Sequence, residues 1–297
     1  MTQDAVWTRQ LDRLVNLPLL EDKPEETSET TLKALWLTAA GNPKSVETAA
    51  QCKLPSLTFE QEQKLAKLID KRLEGVPLAH ITGRQQFMDV ELLASSEALI
   101  PRKETEILGR QAQQILSQLA CQQTKIILMD VCTGAGNLIV SLSVKIPEVQ
   151  GYAADLSEDA VNLAQKNVAL HKLQQRVEVC AGDLLSPFDN EKFYHKVDVL
   201  LCNPPYISSG RVSEMAREIS EHEPRLAFDG GPFGIKILNS LMKQAPQFLK
   251  PGGWLLFEVG LGQGESIVKR MNKSYFNVQT ADDANGEIRV VMGQIKN

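Results

Sequence analysis

Along the second half of the chain, short apolar runs alternate with stretches whose apolar positions recur every three or four residues. IILMDV (126–131), VQGYAAD (149–155), RVEVCAGD (176–183), VDVLLC (197–202) and WLLFEVG (254–260) have strand length and near-continuous apolar character. Between them lie helical patterns at 137–145, from a Ser157 cap to about His171, and at 234–249. The last shows the face Ile237, Leu238, Leu241 and Met242, and Pro251-Gly252-Gly253 are expected to stop it. A helix at 264–272 and strands at 276–281 and 287–293 complete the pattern. Strands that alternate with helices predict an α/β fold built on a parallel sheet.

The first half reads differently. Trp7, Leu11, Leu14 and Val15 share one helical face, and residues 31–40 form a short apolar helix ended by Gly41. Residues 21–29, acidic and proline-containing, read as a loop. Thr58 and Gln61 have capping-box spacing, and Leu65, Leu68, Ile69 and Leu73 follow on one face before Gly75 and Pro77 end the helix. Ile81, Phe87, Val90 and Leu92 then lie among turn residues. The expected division is a helical domain over 1–80, a linker with short β structure over 81–103, and the α/β domain over 104–297. The last opens with a helix after Pro101-Arg102, on the face Leu108, Ala112, Ile115, Leu116 and Leu119.

One stretch carries chemistry in its own right. VDVLLC stops on Asn203-Pro204-Pro205-Tyr206, and two prolines cannot continue a strand ladder. In open α/β sheets, ligands sit beyond the carboxyl ends of the strands. The Asn203 oxygen and the Pro204 carbonyl can accept both hydrogens of a planar NH2 group, and Tyr206 offers a ring face to it. Such a grip favours pyramidalisation and aims the nitrogen lone pair at an electrophile. The competing reading is a tight turn with no further role.

Composition narrows the field. Lys and Arg number 32 against 37 Asp and Glu, a net charge of −5. That balance argues against a protein whose main task is gripping a nucleic acid backbone. No apolar run is long enough to cross a bilayer, and the first residues lack a signal pattern, so the cytoplasm is expected. Cys52, Cys121, Cys132, Cys180 and Cys202 show no CxxC spacing; Cys132, Cys180 and Cys202 read as small buried hydrophobes. His80, His171, His195 and His222 do not cluster, and no metal site is expected.

Three further features fall at successive strand ends. Gly134-x-Gly136 follows the first strand of the alternating region, without the third glycine of a dinucleotide fingerprint, since Ile139 stands there. Asp155 ends the second strand, where a carboxylate can accept from two ribose hydroxyls. Asp183, beside Leu184, ends the third, suiting an adenine's amine and ring face. Each acid alone reads first as a cap or a surface residue; the set, with Asn203 after the fourth strand, points to a nucleoside cofactor.

This order resembles the class I S-adenosylmethionine-dependent methyltransferases, with a Rossmann-like seven-stranded sheet. GVPLAHITGRQQF, IPRKETE, HEPRLAFDGG, WLLFEVGLGQ and GEIRVVMG are similar, more narrowly, to the PrmC/HemK protein-glutamine N5-methyltransferases over about residues 30–293. The resemblance implies methyl transfer from S-adenosylmethionine, leaving S-adenosylhomocysteine, to the glutamine amide of the Gly-Gly-Gln loop of class I peptide chain release factors. It implies Cys132, Thr133, Gly134, Ala135, Gly136, Asp155, Asp183, Leu184 and Asn203 at the cofactor. At the substrate it implies Asn203, Pro204, Pro205 and Tyr206, with Phe87 and Arg102 nearby and the helical domain docking the release factor. Glu104 and Glu106 read equally as helix N-terminal acids. Glu223 and Arg225 fall in the loop after the Asn-Pro-Pro-Tyr turn, and Glu258 ends the fifth strand on the same edge. A monomer that uses no metal and meets neither membrane nor nucleic acid is expected. Cys132 replaces the family's usual glycine, Phe233 its aspartate and His80 a common tyrosine. Two other readings remain at this stage: methylation of an exocyclic base amine, and a module that binds without turnover.

Overall fold

The computed structural model describes residues 2–17, 23–208, 210, 222–231 and 234–296. Phe233, part of the acidic stretch at 21–29 and most of the segment after Ile207 lie outside the described residues. The chain divides into two compact units. The first takes in residues up to Ser96 together with His222 and Glu223; the second takes the other described residues from Glu97 onward.

The first unit contains α1 (Gln3–Leu14), α2 (Ser28–Ala39), α3 (Val46–Gln51), α4 (Phe59–Leu73) and α5 (Leu78–Thr82). A hairpin of β1 (Arg84–Phe87) and β2 (Val90–Leu93) follows. Leu32, Leu35, Trp36, Leu65 and Ile69 are buried in one apolar cluster, as the faces of α2 and α4 dictate. The capping box of α4 is complete: Gln61 N–H donates to Thr58 Oγ1 at 3.3 Å, and Thr58 N–H donates to Gln61 Oε1 at 2.9 Å. Two elements escape the periodicity. Helix α3 is too short to repeat an apolar face, and only its Ser45 cap marks it. The hairpin turns on Met88 and Asp89, both at positive φ, as a two-residue primed turn requires, but without the glycine that usually signals one.

The second unit begins with α6 (Lys103–Ala120). It continues through β3 (Ile126–Val131), α7 (Asn137–Lys145), β4 (Val149–Asp155), α8 (Glu158–Leu170), β5 (Val177–Ala181) and β6 (Val197–Cys202). It closes with α9 (Lys236–Phe248), β7 (Leu249–Glu258), α10 (Gly264–Met271), β8 (Tyr275–Asp282) and β9 (Ile288–Ile295). The seven-stranded sheet runs β5-β4-β3-β6-β7-β9-β8. Pairs from β5 to β7 are parallel, while β9 is antiparallel to both β7 and β8. All six residues of β6 are buried, which explains its predominantly apolar run. The strand order reverses between β3 and β6, where an open α/β sheet forms its ligand crevice. Among the described residues, no helix is long and apolar enough to cross a membrane.

Two boundaries differ from the sequence expectation. Strand β7 starts at Leu249, because Pro251-Gly252-Gly253 form an irregularity inside the strand rather than a stop. A Cβ at Gly253 would lie 2.9 Å from the Val197 carbonyl oxygen, so only glycine permits that approach. Strand β5 ends at Ala181, which leaves Asp183 two residues past the ladder.

One polar residue interrupts the apolar β6. Asp198 accepts from Ile127 N–H at 2.7 Å and Gln123 Nε2 at 2.9 Å, and pairs with Lys250. Asp198→Ala strands a buried backbone donor and is expected to cost about 1–3 kcal/mol, read as a lower urea midpoint. An unchanged midpoint would show that the strand ends relax around the loss.

Candidate active site at the carboxyl edge of the sheet

The ends of β3, β4, β5 and β6 wall a single cleft. Cys132, Thr133, Gly134, Asp155, Asp183, Leu184, Asn203 and Pro205 line it, with Glu97, Thr105, Asn137, Leu156 and Leu226. Ala135, Gly136, Pro204 and Tyr206 lie outside the lining. Residues from four strand ends thus meet, as the spacing predicts.

The turn after β3 owes its shape to two glycines with different tasks. Gly134 has φ +56° and open space where a side chain would stand, and it faces the cleft. Gly136, at φ +81°, starts α7; a Cβ there would come within 3.2 Å of Ala164 Cβ on α8, so it serves helix packing. Cys132 holds φ +58° although it is not glycine. The Asp155 carboxylate fastens the turn, accepting from Gly134 N–H at 2.8 Å and Ser157 N–H at 2.9 Å. Burial pushes the Asp155 carboxyl up, and those backbone donors pull against it. Asn167, fully buried on α8, donates to the Ala135 carbonyl at 2.9 Å. Beneath the turn, Thr133 Oγ1 donates to Asp130 Oδ2 at 2.6 Å. Asp130 is wholly buried, and desolvation raises its pKa to about 7.

After Cys202 the chain leaves the sheet, and a polar network fixes the Asn-Pro-Pro-Tyr turn. Asn203 Nδ2 donates to Thr105 Oγ1 on α6 at 3.2 Å. The Tyr206 hydroxyl donates to Glu258 Oε1 on β7 at 2.8 Å. Arg289 on β9 reaches Glu258 at 3.5 Å and the Tyr206 hydroxyl at 3.4 Å. Glu258 is fully buried. Burial pushes its carboxyl up, while the hydroxyls of Thr105 and Tyr206 and the charge of Arg289 pull it down. The Tyr206 phenol is raised by burial and then by the Glu258 charge, so its proton stays in place. Gln263 Nε2 donates to the Tyr206 carbonyl at 3.1 Å. Ile207 bridges to Asp229, and a Cβ at Gly234 would sit 2.0 Å from the Tyr206 carbonyl oxygen, so Gly234 permits a close approach of backbone here.

The remaining sequence candidates are scattered. Phe87 is buried in β1 of the first unit, and Glu223 is buried in that unit too. Arg102 is the half-buried N-cap residue of α6 and is not among the residues lining the cleft. Glu104 and Glu106 occupy the first turn of α6, and Glu106 pairs with Arg110 at 2.7 Å. Arg225 pairs with Asp229. Sequence reasoning missed Thr105 and Arg289 as parts of the site. Both lie inside stretches singled out for resemblance, but nothing in a lone threonine or a strand arginine marks a buried partner. Among the described residues, no group of His, Cys, Asp and Glu could hold a metal ion.

Comparison with known proteins gives this geometry a family. Residues 108–290 match the family model described as the methyltransferase small domain. The release factor glutamine methyltransferase of Geobacter sulfurreducens is 33% identical over 229 residues, which is 77% of this chain and 76% of that one. The chain belongs to the release factor glutamine methyltransferases. The Caulobacter vibrioides member is 28% identical and matches all of this chain and 97% of its own, so the similarity extends through the helical unit. In fold alone, the chain is similar to the hMettl16 catalytic domain solved with a MAT2A 3′UTR hairpin. The TM-score there is 0.53 at 13% identity, over 69% of this chain and 76% of that one.

Asp130 generates a pH prediction for this methyltransferase. Its folded pKa of about 7 exceeds the ordinary 3.8, so the native state holds a proton that the unfolded chain releases. Its stabilising contribution is complete below about pH 4 and is lost as pH rises through 7. Wild type is therefore expected to lose unfolding free energy relative to Asp130→Asn between pH 4 and 7, read from parallel urea titrations. A difference that is flat with pH would place the native pKa near its ordinary value.

Proposed function

We propose that this chain transfers a methyl group from S-adenosylmethionine to the side-chain amide nitrogen of the glutamine in the Gly-Gly-Gln motif of class I release factors. The observation that carries this reading is Asn203: its carboxamide stands in the wall of the cleft that also holds Gly134, Asp155 and Asp183. The donor set suits a nucleoside cofactor. Each Asp155 oxygen keeps a lone pair beyond its backbone bond and can accept from ribose hydroxyls. Asp183, exposed at the cleft, suits an exocyclic amine, and the apolar Leu156 and Leu184 suit a ring face. Gly134 leaves room for a close approach to the backbone. Cys132, Thr133 and Asn203 complete the contacts we assign to the cofactor; Ala135 and Gly136 shape the turn from behind.

S-adenosylmethionine, when bound, supplies an electrophilic methyl group. The chain's own part is to hold the amide. Asn203 Oδ1 and the Pro204 carbonyl accept its two hydrogens, and Pro205 makes the turn rigid. Held this way, the nitrogen loses conjugation with its carbonyl and offers its lone pair. The amide proton leaves once the nitrogen is cationic, and no side chain is assigned as a base. The Tyr206 hydroxyl, tied to Glu258, holds the ring at the edge of the turn. A release-factor substrate implies the cytoplasm, with the helical unit and its Phe87 hairpin meeting the protein substrate and Arg102 setting the start of α6.

Labelled S-adenosylmethionine is expected to mark purified release factor and to leave unmarked the factor with its Gly-Gly-Gln glutamine changed to alanine. No label on either, with cofactor binding intact by calorimetry, would overturn the substrate. Label on nucleic acid instead would favour an exocyclic base amine. Two variants separate the roles within the cleft. Asn203→Ala is expected to cut turnover about 10²-fold or more, with cofactor affinity falling less. Asp155→Ala is expected to weaken cofactor binding first, and unchanged calorimetry would remove it from the ribose.

A further inference from the structure

A carboxamide is chemically two-faced: one end accepts hydrogen bonds and the other donates them. If Asn203 grips an NH2 group, its oxygen must face the cleft. A half-turn about the last side-chain bond would put two donors against two donors. Something in the fold must choose between these orientations.

Thr105 is placed to make that choice. It is 3% exposed, lies in the first turn of α6, and its oxygen receives Asn203 Nδ2 at 3.2 Å. A hydroxyl has one proton, and an oxygen already accepting from Asn203 sends that proton elsewhere. Glu258 is the acceptor alongside, near enough that the Thr105 hydroxyl pulls its carboxyl down. It is fully buried, sits beside the Arg289 guanidinium at 3.5 Å, and uses only Oε1 for Tyr206. Its Oε2 is buried and makes no hydrogen bond, which leaves it open to the Thr105 proton. While Glu258 is ionised it cannot donate, and the hydroxyl then keeps its direction.

We propose that Thr105 and Glu258 are positioning residues: Glu258 draws the Thr105 hydroxyl proton, Thr105 accepts from the Asn203 nitrogen, and Asn203 is left with its oxygen toward the cleft. This rests on the reading of Asn203 as the amide-binding group. Arg289 and the Tyr206 hydroxyl keep Glu258 in its accepting role, so residues on α6, β7 and β9 together set the direction of one side chain after β6.

Thr105→Val keeps shape and removes the acceptor, whereas Thr105→Ser keeps the hydroxyl. With release factor as substrate, Thr105→Val is expected to lower kcat about 10²-fold while cofactor affinity stays within about two-fold, and Thr105→Ser to recover kcat to within about three-fold of wild type. A Thr105→Val enzyme with wild-type kcat would overturn the relay. A serine variant as poor as the valine variant would do the same, since the methyl group rather than the hydroxyl would then matter. Failure of the substrate reading shows separately, as wild type that leaves release factor unlabelled. The relay is then read from the Asn203 side-chain amide by 15N NMR of the whole protein. Two well-separated proton shifts in wild type and Thr105→Ser, merging toward free-amide values in Thr105→Val, are expected. Free-amide values already in wild type would overturn it.

Discussion

A carboxylate with no solvent contact governs the active edge of this enzyme. Glu258 ends a central strand at full burial, where an unpaired charge would cost several kcal/mol. The fold answers with a phenol from the turn after β6, a guanidinium from β9 and a hydroxyl from α6. Each answering group is thereby fixed, and with them the two ends of the Asn-Pro-Pro-Tyr segment. Tyr206 anchors one end through its hydroxyl and Asn203 the other through Thr105. The main chain between them is rigid because it is proline. A segment outside any regular element thus acquires the definition of a strand.

The other side of the cleft rests on a similar device. Asp155 reaches across from β4 to hold the Gly134 amide, Asn167 holds the Ala135 carbonyl, and Asp130 lies beneath with Thr133. Polar groups buried at the carboxyl end of the sheet are therefore spent on backbone geometry before any ligand arrives. That is preorganisation: the ordering is done during folding rather than on binding.

How much of this was legible beforehand follows from what each element needs. Strands β3, β4 and β6 are covered on both faces, so their runs are predominantly apolar and their limits stand out. Helix α4 carries its own punctuation in the Thr58 box. Helix α3, with six residues, has no period to read, and the Met88-Asp89 turn adopts left-handed backbone without a glycine to announce it. Pro251-Gly252-Gly253 looked like a stop because sequence shows a breaker and not the neighbouring strand that accommodates it. In the site, strand-end acids and the Asn-Pro-Pro-Tyr turn were visible because position along the chain placed them. Thr105 and Arg289 were not, since their importance lies in contacts with residues far away in sequence. The ring of Tyr206 suggested stacking; its hydroxyl's bond to Glu258 could only come from the fold.

The antiparallel pair at the end of the sheet has a dynamic consequence. Strands β8 and β9 form a hairpin, but only β9 meets β7, so β8 is held to the sheet through its neighbour alone. Peeling the pair away would break the ladder beside Glu258 and carry off Arg289 in the same motion. The carboxylate left behind would be uncompensated in an apolar edge, a penalty beyond that of the lost strand pairing. Opening of the sheet between β7 and β9 thus carries an electrostatic cost as well as the lost pairing. The hairpin and the catalytic edge should therefore open as one cooperative unit, with their backbone amides expected to exchange with solvent together rather than strand by strand.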